Sequence, residues 1–97
     1  MKNEIEIQIS PWISKAFGEK SKVTLTEQIR KGEDLKSLLE RMASKNESFG
    51  AMIYDVKRGT IYDAVVIFVN NRPIEKDLKT KIKSGDTIFV TPLYSGG

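Results

Sequence analysis

Two segments near the start of the chain alternate between apolar and polar residues. The segment EIEIQIS at 4–10 places its three isoleucines on one face, and KVTLTEQI at 22–29 alternates in the same way. A period of two is typical of a half-buried β-strand. The intervening PWISKAFGEKS at 11–21 breaks the alternation and is predicted to be an extended turn. The two strands are therefore expected to form a hairpin.

A helical period follows this hairpin. Asp34 is a suitable N-cap because a short carboxylate can accept a hydrogen bond from the first turn of a helix. The apolar residues after it recur at helical spacing, with charged residues on the other face: Leu35, Leu38, Leu39 and Met42. Such an apolar stripe predicts an amphipathic helix packed against a core. We expect this helix to end at 44–46.

The segment FGAMIYDVKRGTIYD at 49–63 has an ambiguous pattern. Its first half has helical spacing, yet the triplet IYD occurs twice, on either side of VKRGT. Two strand-forming triplets around a turn indicate a small hairpin or an extended arm. We predict a short helical turn followed by that arm.

The second half of the chain contains the strongest strand pattern. AVVIFVNN at 64–71 ends in two asparagines that can adopt left-handed backbone conformations, and RPI at 72–74 suits a brief edge strand. KDLKTKIKSGD at 76–86 is a polar connection anchored by Leu78 and Ile82, and TIFVTPLY at 87–94 is the last strand. A hairpin, one covering helix and late strands predict an α+β fold with a helix on one face of a sheet.

Alternation also assigns the late strands' side chains to two faces. The face under the helix is predicted to contain Ile67, Val69, Ile88 and Val90. Phe68 and Phe89, with Val66, would then lie on the open face. Grouped apolar residues on a surface mark an interface, so we interpret them as a partner-binding surface. The alternative is a second small core under the 44–63 segment.

Composition and charge exclude several function classes. The chain has 97 residues, no cysteine, no histidine and a net charge of +3 with mixed signs along its length. It lacks an apolar run long enough for a signal peptide or a membrane span, so we expect a cytoplasmic protein with no membrane role. No basic run with interleaved aromatics appears, so we expect no nucleic-acid role.

A free-standing enzyme is also disfavoured. Without histidine or cysteine, the commonest general base and the best thiol nucleophile are absent. The acidic residues show no paired or metal-ligand spacing, so we expect no metal site. Any chemistry involving this chain is expected to use the catalytic residues of a partner enzyme.

Three segments resemble the MoaD/ThiS family of sulfur carriers: VVIFVNNRPI at 65–74, IKSGDTIFVTP at 82–92 and SGG at 95–97. DLKSLLERMA at 34–43 is similar, less specifically, to the family's covering helix. The resemblance implies a ubiquitin-like β-grasp fold, a mixed sheet packed against one main helix, with a domain at 1–92 and a flexible tail at 93–97. The length of 44–63 favours a MoaD-like member, the small subunit of molybdopterin synthase.

The resemblance also implies the chemistry of the last two residues, Gly96 and Gly97. A ubiquitin-activating-enzyme-like adenylyltransferase (MoeB/ThiF-like) would join AMP from ATP to the carboxylate of Gly97. Sulfur from a donor would then displace AMP and leave a thiocarboxylate, with no cofactor bound by this chain. In the MoaD branch the sulfur passes to a pterin precursor in the large subunit of molybdopterin synthase (MoaE-like). In related branches it passes to the thiazole of thiamin or to tRNA, or the carboxylate is joined to protein lysines.

Physical chemistry supports the same role for the terminus. A terminal carboxyl has a pKa of ~3.3–3.7, so at neutral pH it is an anion and a poor electrophile that must be activated before attack. Gly96 and Gly97 have no side chain to block entry into a covered pocket. A plain β-grasp binding module with an idle terminus remains the alternative.

The residues before the glycines are predicted to bind the partner. Leu93 and Tyr94 are expected to be too near the end to be buried, and with Pro92 and Ser95 they would anchor the tail in a partner's groove. Many members of the family instead have a Pro-Pro pair and smaller residues here, so Tyr94 and Ser95 leave the acceptor open.

Arg72 is a further partner-binding candidate. It precedes a group of lysines in the connection before the last strand: Lys76, Lys79, Lys81 and Lys83. Together they could meet an acidic surface on the activating enzyme, although a solvated polar loop is the simpler explanation.

Overall fold

The computed structural model describes residues 3–14, 23–75 and 77–93. Alternating and helical periods become strands and helices close to the predicted boundaries. In chain order the elements are β1 (Glu4–Ile9), α1 (Pro11–Ser14), β2 (Val23–Gln28), α2 (Leu35–Lys45), α3 (Glu47–Met52), β3 (Tyr54–Asp55), β4 (Thr60–Ile61), β5 (Val65–Val69), β6 (Arg72–Pro73) and β7 (Thr87–Pro92).

Five of the strands form one mixed sheet in the order β2-β1-β7-β5-β6. The first and last strands, β1 and β7, lie side by side and run parallel, while the other neighbours are antiparallel. Strands β3 and β4 form a separate two-stranded ribbon. With α2 packed on one face of the sheet, this is the β-grasp arrangement, and the predicted fold class is confirmed.

The core lies between α2 and one face of the sheet. The isoleucines of β1 and the four apolar residues of α2 are all at most 5% exposed. From the late strands, Ile67, Ile88 and Val90 are buried as predicted. Val69 is only partly buried and packs against the rim of the core. Burial of this apolar surface is the main stabilising term of the fold.

Two side-chain caps set the limits of the helices. The Asp34 carboxylate accepts a hydrogen bond from the Ser37 N–H at 2.9 Å, which confirms the predicted N-cap of α2. Asn46 ends α2 and also caps α3, because its side-chain oxygen accepts from the Phe49 N–H at 3.1 Å. Only Asn46 therefore separates the two helices. The end of α2 at Lys45 agrees with the predicted end at 44–46.

The segment after β1 differs from its prediction. Residues 11–14 form a helical turn, α1, where an extended turn was expected. Pro11 suits the first helical position because its missing N–H would have no helical partner there. The Ile13 N–H donates to the Ser10 carbonyl at 3.0 Å, and the Ile13 side chain is buried. The rest of this predicted turn, 15–21, lies outside the described residues.

The 44–63 segment forms the predicted short helix, but a two-stranded hairpin follows it where an arm was favoured, and the segment enlarges the main core. Tyr54 pairs with Ile61 across the β3–β4 ribbon. Phe49, Ile53, Tyr54 and Ile61 are at most 1% exposed and belong to the same cluster as the residues of α2. Among the described residues, the alternative of a second small core under the 44–63 segment is therefore wrong.

Candidate partner-binding surface

An aromatic pair lies on the sheet face opposite α2. Phe68 of β5 and Phe89 of β7 are directly opposite each other in the register, with ring centroids 6.4 Å apart and planes tilted by 36°. Each ring is only partly buried. Aromatic cross-strand pairs stabilise a sheet, and the exposed part of each ring remains available for contact. The structure thus places both predicted interface residues together on the open face.

Other apolar residues extend this surface toward the end of β7. Val66 pairs with Thr91, which is the next pair on the same face of the sheet after Phe68 and Phe89. Leu93 is 58% exposed, as predicted, and lines a groove of about 200 Å³ together with Val66. We call Val66, Phe68, Phe89 and Leu93 the open-face patch.

The open-face patch is bordered by polar residues of the neighbouring strand. In the parallel register Gln8 of β1 lies beside Phe89, and Glu6 lies beside Thr87. The Gln8 amide donates to the Glu6 carboxylate at 2.9 Å. An apolar centre beside a polar border is the usual anatomy of a protein–protein interface.

The open-face patch and the predicted tail lie on the same strand. Pro92 ends β7, and the Leu93 N–H still donates to the Ala64 carbonyl at 2.8 Å, so the chain is held to the sheet up to this point. Phe89 precedes Gly97 by eight residues. The other predicted tail residues, Tyr94, Ser95, Gly96 and Gly97, lie outside the described residues.

Arg72 is not near the tail. It is exposed on β6, which pairs with the end of β5 at Val69, and Val69 pairs with Ile88 near the start of β7. The tail leaves the other end of β7, roughly 13–17 Å away at ~3.4 Å for each residue of the strand. The exposed Lys79, Lys81 and Lys83 belong to the same distant end, and Lys76 lies outside the described residues.

A buried charge cluster is the main feature that sequence reasoning missed. The Glu33 carboxylate accepts from the Arg30 N–H at 3.1 Å, from the Ser37 hydroxyl at 2.8 Å and from the Arg41 guanidinium. Burial raises the pKa of Glu33, but these hydrogen bonds outweigh burial and lower the pKa to about 2. Glu33 therefore anchors the loop before α2 to the helix.

Three further observations concern the Tyr54 phenol, metal binding and membrane-spanning helices. Burial, followed by the hydrogen bond from its hydroxyl to Glu40 at 3.1 Å, raises the pKa of Tyr54 to about 12, so its phenol stays protonated at neutral pH. Within residues 3–14, 23–75 and 77–93, no three acidic side chains are grouped to hold a metal ion. In the same part of the chain, no helix is long and apolar enough to cross a membrane.

The fold can be compared with known proteins. No protein-family model and no curated protein sequence matches the chain. Solved structures do match. SAMP1 from Haloferax volcanii has a TM-score of 0.76 at 16% identity, with 97% of this chain and 99% of that chain covered.

Two further solved structures that match this chain have names other than SAMP1. The putative molybdopterin converting factor, subunit 1, from Pyrococcus furiosus has a TM-score of 0.69 at 19% identity, covering 94% of this chain and 98% of that chain. A chain of the BexX/CysO complex from Amycolatopsis orientalis has a TM-score of 0.68 at 18% identity, covering 96% of this chain and 99% of that chain. The resemblance predicted from the sequence is thus confirmed at the level of structure, and the chain has the ubiquitin-like β-grasp fold.

Proposed function

We propose that this protein is a ubiquitin-like sulfur carrier that a partner enzyme loads at Gly97. The observation that carries the proposal is the open-face patch on β7, the strand that continues into Gly96 and Gly97. A partner that binds the patch would be positioned to receive the tail. The names of the similar structures, a molybdopterin converting factor subunit and a chain of a complex with a second protein, support a carrier that works with partner proteins.

The proposed chemistry requires little from this chain's side chains. The Gly97 carboxylate attacks the α-phosphate of ATP in an adenylyltransferase, and pyrophosphate leaves. A hydrosulfide ion from the sulfur donor then attacks the acyl-adenylate carbon, the bond to AMP breaks, and loss of the S–H proton leaves the thiocarboxylate. The adenylyltransferase supplies the charge stabilisation. This chain supplies recognition and a tail thin enough to enter a covered pocket.

The proposed destination of the sulfur is a pterin precursor in molybdopterin synthesis. The 44–63 segment folds as α3 and a ribbon that joins the main core, which makes the domain larger than a minimal carrier needs. The partners would then be a MoeB-like adenylyltransferase and a MoaE-like large subunit, all in the cytoplasm. The chain itself would not be an enzyme, because catalysis belongs to these partners.

A protein modifier is the second candidate. It is favoured by the name of one similar structure, the small archaeal modifier protein 1 of Haloferax volcanii. Both candidates share adenylation of the terminal carboxylate and differ in the nucleophile that follows, sulfur or a lysine amine. Lysine adducts in cells would favour the modifier, and labelled sulfur in a small-molecule product would favour the carrier.

The test is mass spectrometry of the C-terminal peptide. The protein is incubated with ATP, a candidate adenylyltransferase and a sulfur donor, and the peptide is fragmented to locate any mass change. The peptide is needed because, in the intact protein, replacing oxygen by sulfur and oxidising Met1, Met42 or Met52 give nearly the same mass. Sulfur located at Gly97 supports the carrier. An unmodified Gly97, with the enzyme proven active on another carrier, contradicts it.

A further inference from the structure

A group of cations gathers at the end of the sheet that is remote from the tail. We call Arg30, Lys31, Arg72, Lys81 and Lys83 the basic pole. They come from three separate parts of the chain, and all five residues are exposed. Residues 30–31 follow β2, Arg72 begins β6, and residues 81–83 precede β7.

The sheet topology explains why these segments meet. β2 ends beside the start of β1, where Gln28 pairs with Glu4. β1 and β7 run parallel with Glu6 beside Thr87, so both strands begin at this end. β5 runs against β7 and therefore ends here, next to the turn that leads to β6. Loops far apart in sequence thus surround one end of the sheet.

Two clefts make the basic pole concave. The larger, of about 580 Å³, is lined by Arg72, Lys81 and Lys83 together with polar residues that include Asp77. The smaller, of about 300 Å³, is lined by Arg30 and Lys31 and again by Lys83. Lys83 therefore lies between two clefts, each with its own cations.

Hydrogen bonds hold the floor of the larger cleft in place. Asn70 and Asn71 have positive φ angles of 50° and 70°, which form the tight turn before β6. The Asn70 amide donates to the Asp86 carboxylate at 2.8 Å, and its side-chain oxygen accepts from the Thr87 N–H at 2.9 Å. Asp86 also accepts from the Lys83 backbone N–H at 2.8 Å and is buried. Each of its two oxygens thus accepts a hydrogen bond from within the fold, although Asp86 also lines the cleft.

The cations of the basic pole make no ion pair within the described residues. The ion pairs in that part of the chain use other cations, Arg41, Lys45 and Arg58. Within the pole, the Lys81 ammonium donates to the Gly32 carbonyl at 3.2 Å, which does not neutralise its charge. Neighbouring cations without acidic partners create a positive potential that attracts anionic ligands.

The surroundings of the basic pole favour a protein ligand over a nucleic acid. No aromatic side chain lines either cleft, so bases would find no stacking surface among the described residues. A third cleft, lined by Glu4 and Glu6, adjoins the larger one through Asp86. Its carboxylates would repel a continuous phosphate backbone, whereas a peptide can place its acidic residues over the cations alone.

We propose that the basic pole binds a short acidic segment of a partner protein. The segment would lie in extended form across both clefts, with its carboxylates over the cations on either side of Lys83. Because Leu93, where the tail begins, lies at the opposite end of β7, a segment bound at the pole does not cover the start of the tail. The proposal does not depend on sulfur chemistry, and its test uses neither ATP nor an activating enzyme.

The test is a titration of ¹⁵N-labelled protein with an end-blocked hexaglutamate peptide, followed by NMR chemical shifts. We expect salt-sensitive shifts at the backbone amides of residues 30–32, 70–72 and 80–86. The triple variant Arg72→Gln/Lys81→Gln/Lys83→Gln should weaken binding about tenfold. The matched control Lys36→Gln/Lys57→Gln/Arg58→Gln removes the same charge from elsewhere and should bind as the wild type does.

Three results would each overturn the proposal: equal weakening in the control, equal binding of end-blocked hexaglutamine, or tighter binding of an RNA duplex of matched charge at the same amides.

Lys83→Gln alone provides a second readout if the triple variant is poorly folded. Its side chain is exposed, and the bond to Asp86 comes from the backbone N–H, so the turn is preserved. This single change should still weaken hexaglutamate binding, and unchanged affinity would also contradict the proposal.

Discussion

Removing the charge of Glu33 should destabilise the fold more than any surface change. Its carboxylate is buried against Arg41 and accepts two further hydrogen bonds, from Ser37 and from the backbone of Arg30. Glu33→Gln keeps the size of the side chain but removes the negative charge. It therefore removes the closer of the two carboxylates that pair with the partly buried Arg41 guanidinium and leaves only Glu27, 3.8 Å away, which is costly.

The lowered pKa of Glu33 gives the expected magnitude and its pH dependence. A fall from the ordinary value of 4.5 to about 2 corresponds to about 3 kcal/mol of stability at pH 7. Because the folded-state pKa lies below the unfolded one, this stabilisation is fully present above about pH 4.5 and is lost as the pH falls toward 2. At pH 3 roughly 1.4 kcal/mol should remain.

Urea unfolding of both proteins at pH 7 and pH 3 measures these values. The difference between wild type and Glu33→Gln should be about 3 kcal/mol at pH 7 and about half of that at pH 3. Glu75→Gln is the control, since Glu75 is exposed, and it should change stability by less than about 0.5 kcal/mol. A loss of less than about 1 kcal/mol at pH 7, or an equal loss at both pH values, would show that the charge of Glu33 does not stabilise the fold.

Three other predictions concern the tail, the open-face patch and the backbone. Gly97→Val should abolish sulfur loading in the mass-spectrometric assay without changing the melting temperature, and retained loading would refute the proposed role. Phe89→Ser should weaken binding to the activating partner about tenfold or more in a calorimetric titration, whereas Thr26→Ser on the same face should not. In thermal unfolding, Gly85→Ala should destabilise by about 1 kcal/mol because its φ is +89° with open space around it. Gly50→Ala, inside α3, should instead stabilise by up to about 1 kcal/mol, because the added Cβ would lie 3.5 Å from the nearest Ala43 atoms, an ordinary contact. Equal effects at the two glycines would contradict the strain argument.

Periodicity was enough to predict most of the elements and the faces of the late strands. The alternation in 65–69 and 87–92 determines which side chains can meet, so Phe68 and Phe89 could be assigned to one surface from the sequence alone. The Asp34 cap and the asparagine turn depend on local chemistry, and they too were predictable. What these features share is that their causes lie within a few residues of one another.

Features that depend on long-range pairing were not predictable from one sequence. The contact between Glu33 and Arg41 depends on how the loop before α2 folds back onto the helix, and an eight-residue separation gives no periodic signal. The helical turn at 11–14 is stabilised by burial of Ile13 in the core, which a local pattern of breakers cannot indicate. The joining of Arg30 and Lys31 to the basic pole follows from strand order, for which the sequence carries no direct signal.

The strand order also determines how a partner could use both ends of the molecule. The basic pole and the start of the tail are separated by about the length of β7, roughly 17 Å for its six residues. An interface of ordinary size covers about 800 Å² on each protein, which is a disc about 30 Å across. One partner can therefore cover the pole, the open-face patch and the tail at once. In that arrangement the charges of the basic pole would guide the encounter at one end of the sheet. Apolar contacts with the open-face patch would hold the partner on the middle of the sheet, and the other end would present the tail to the partner's active site.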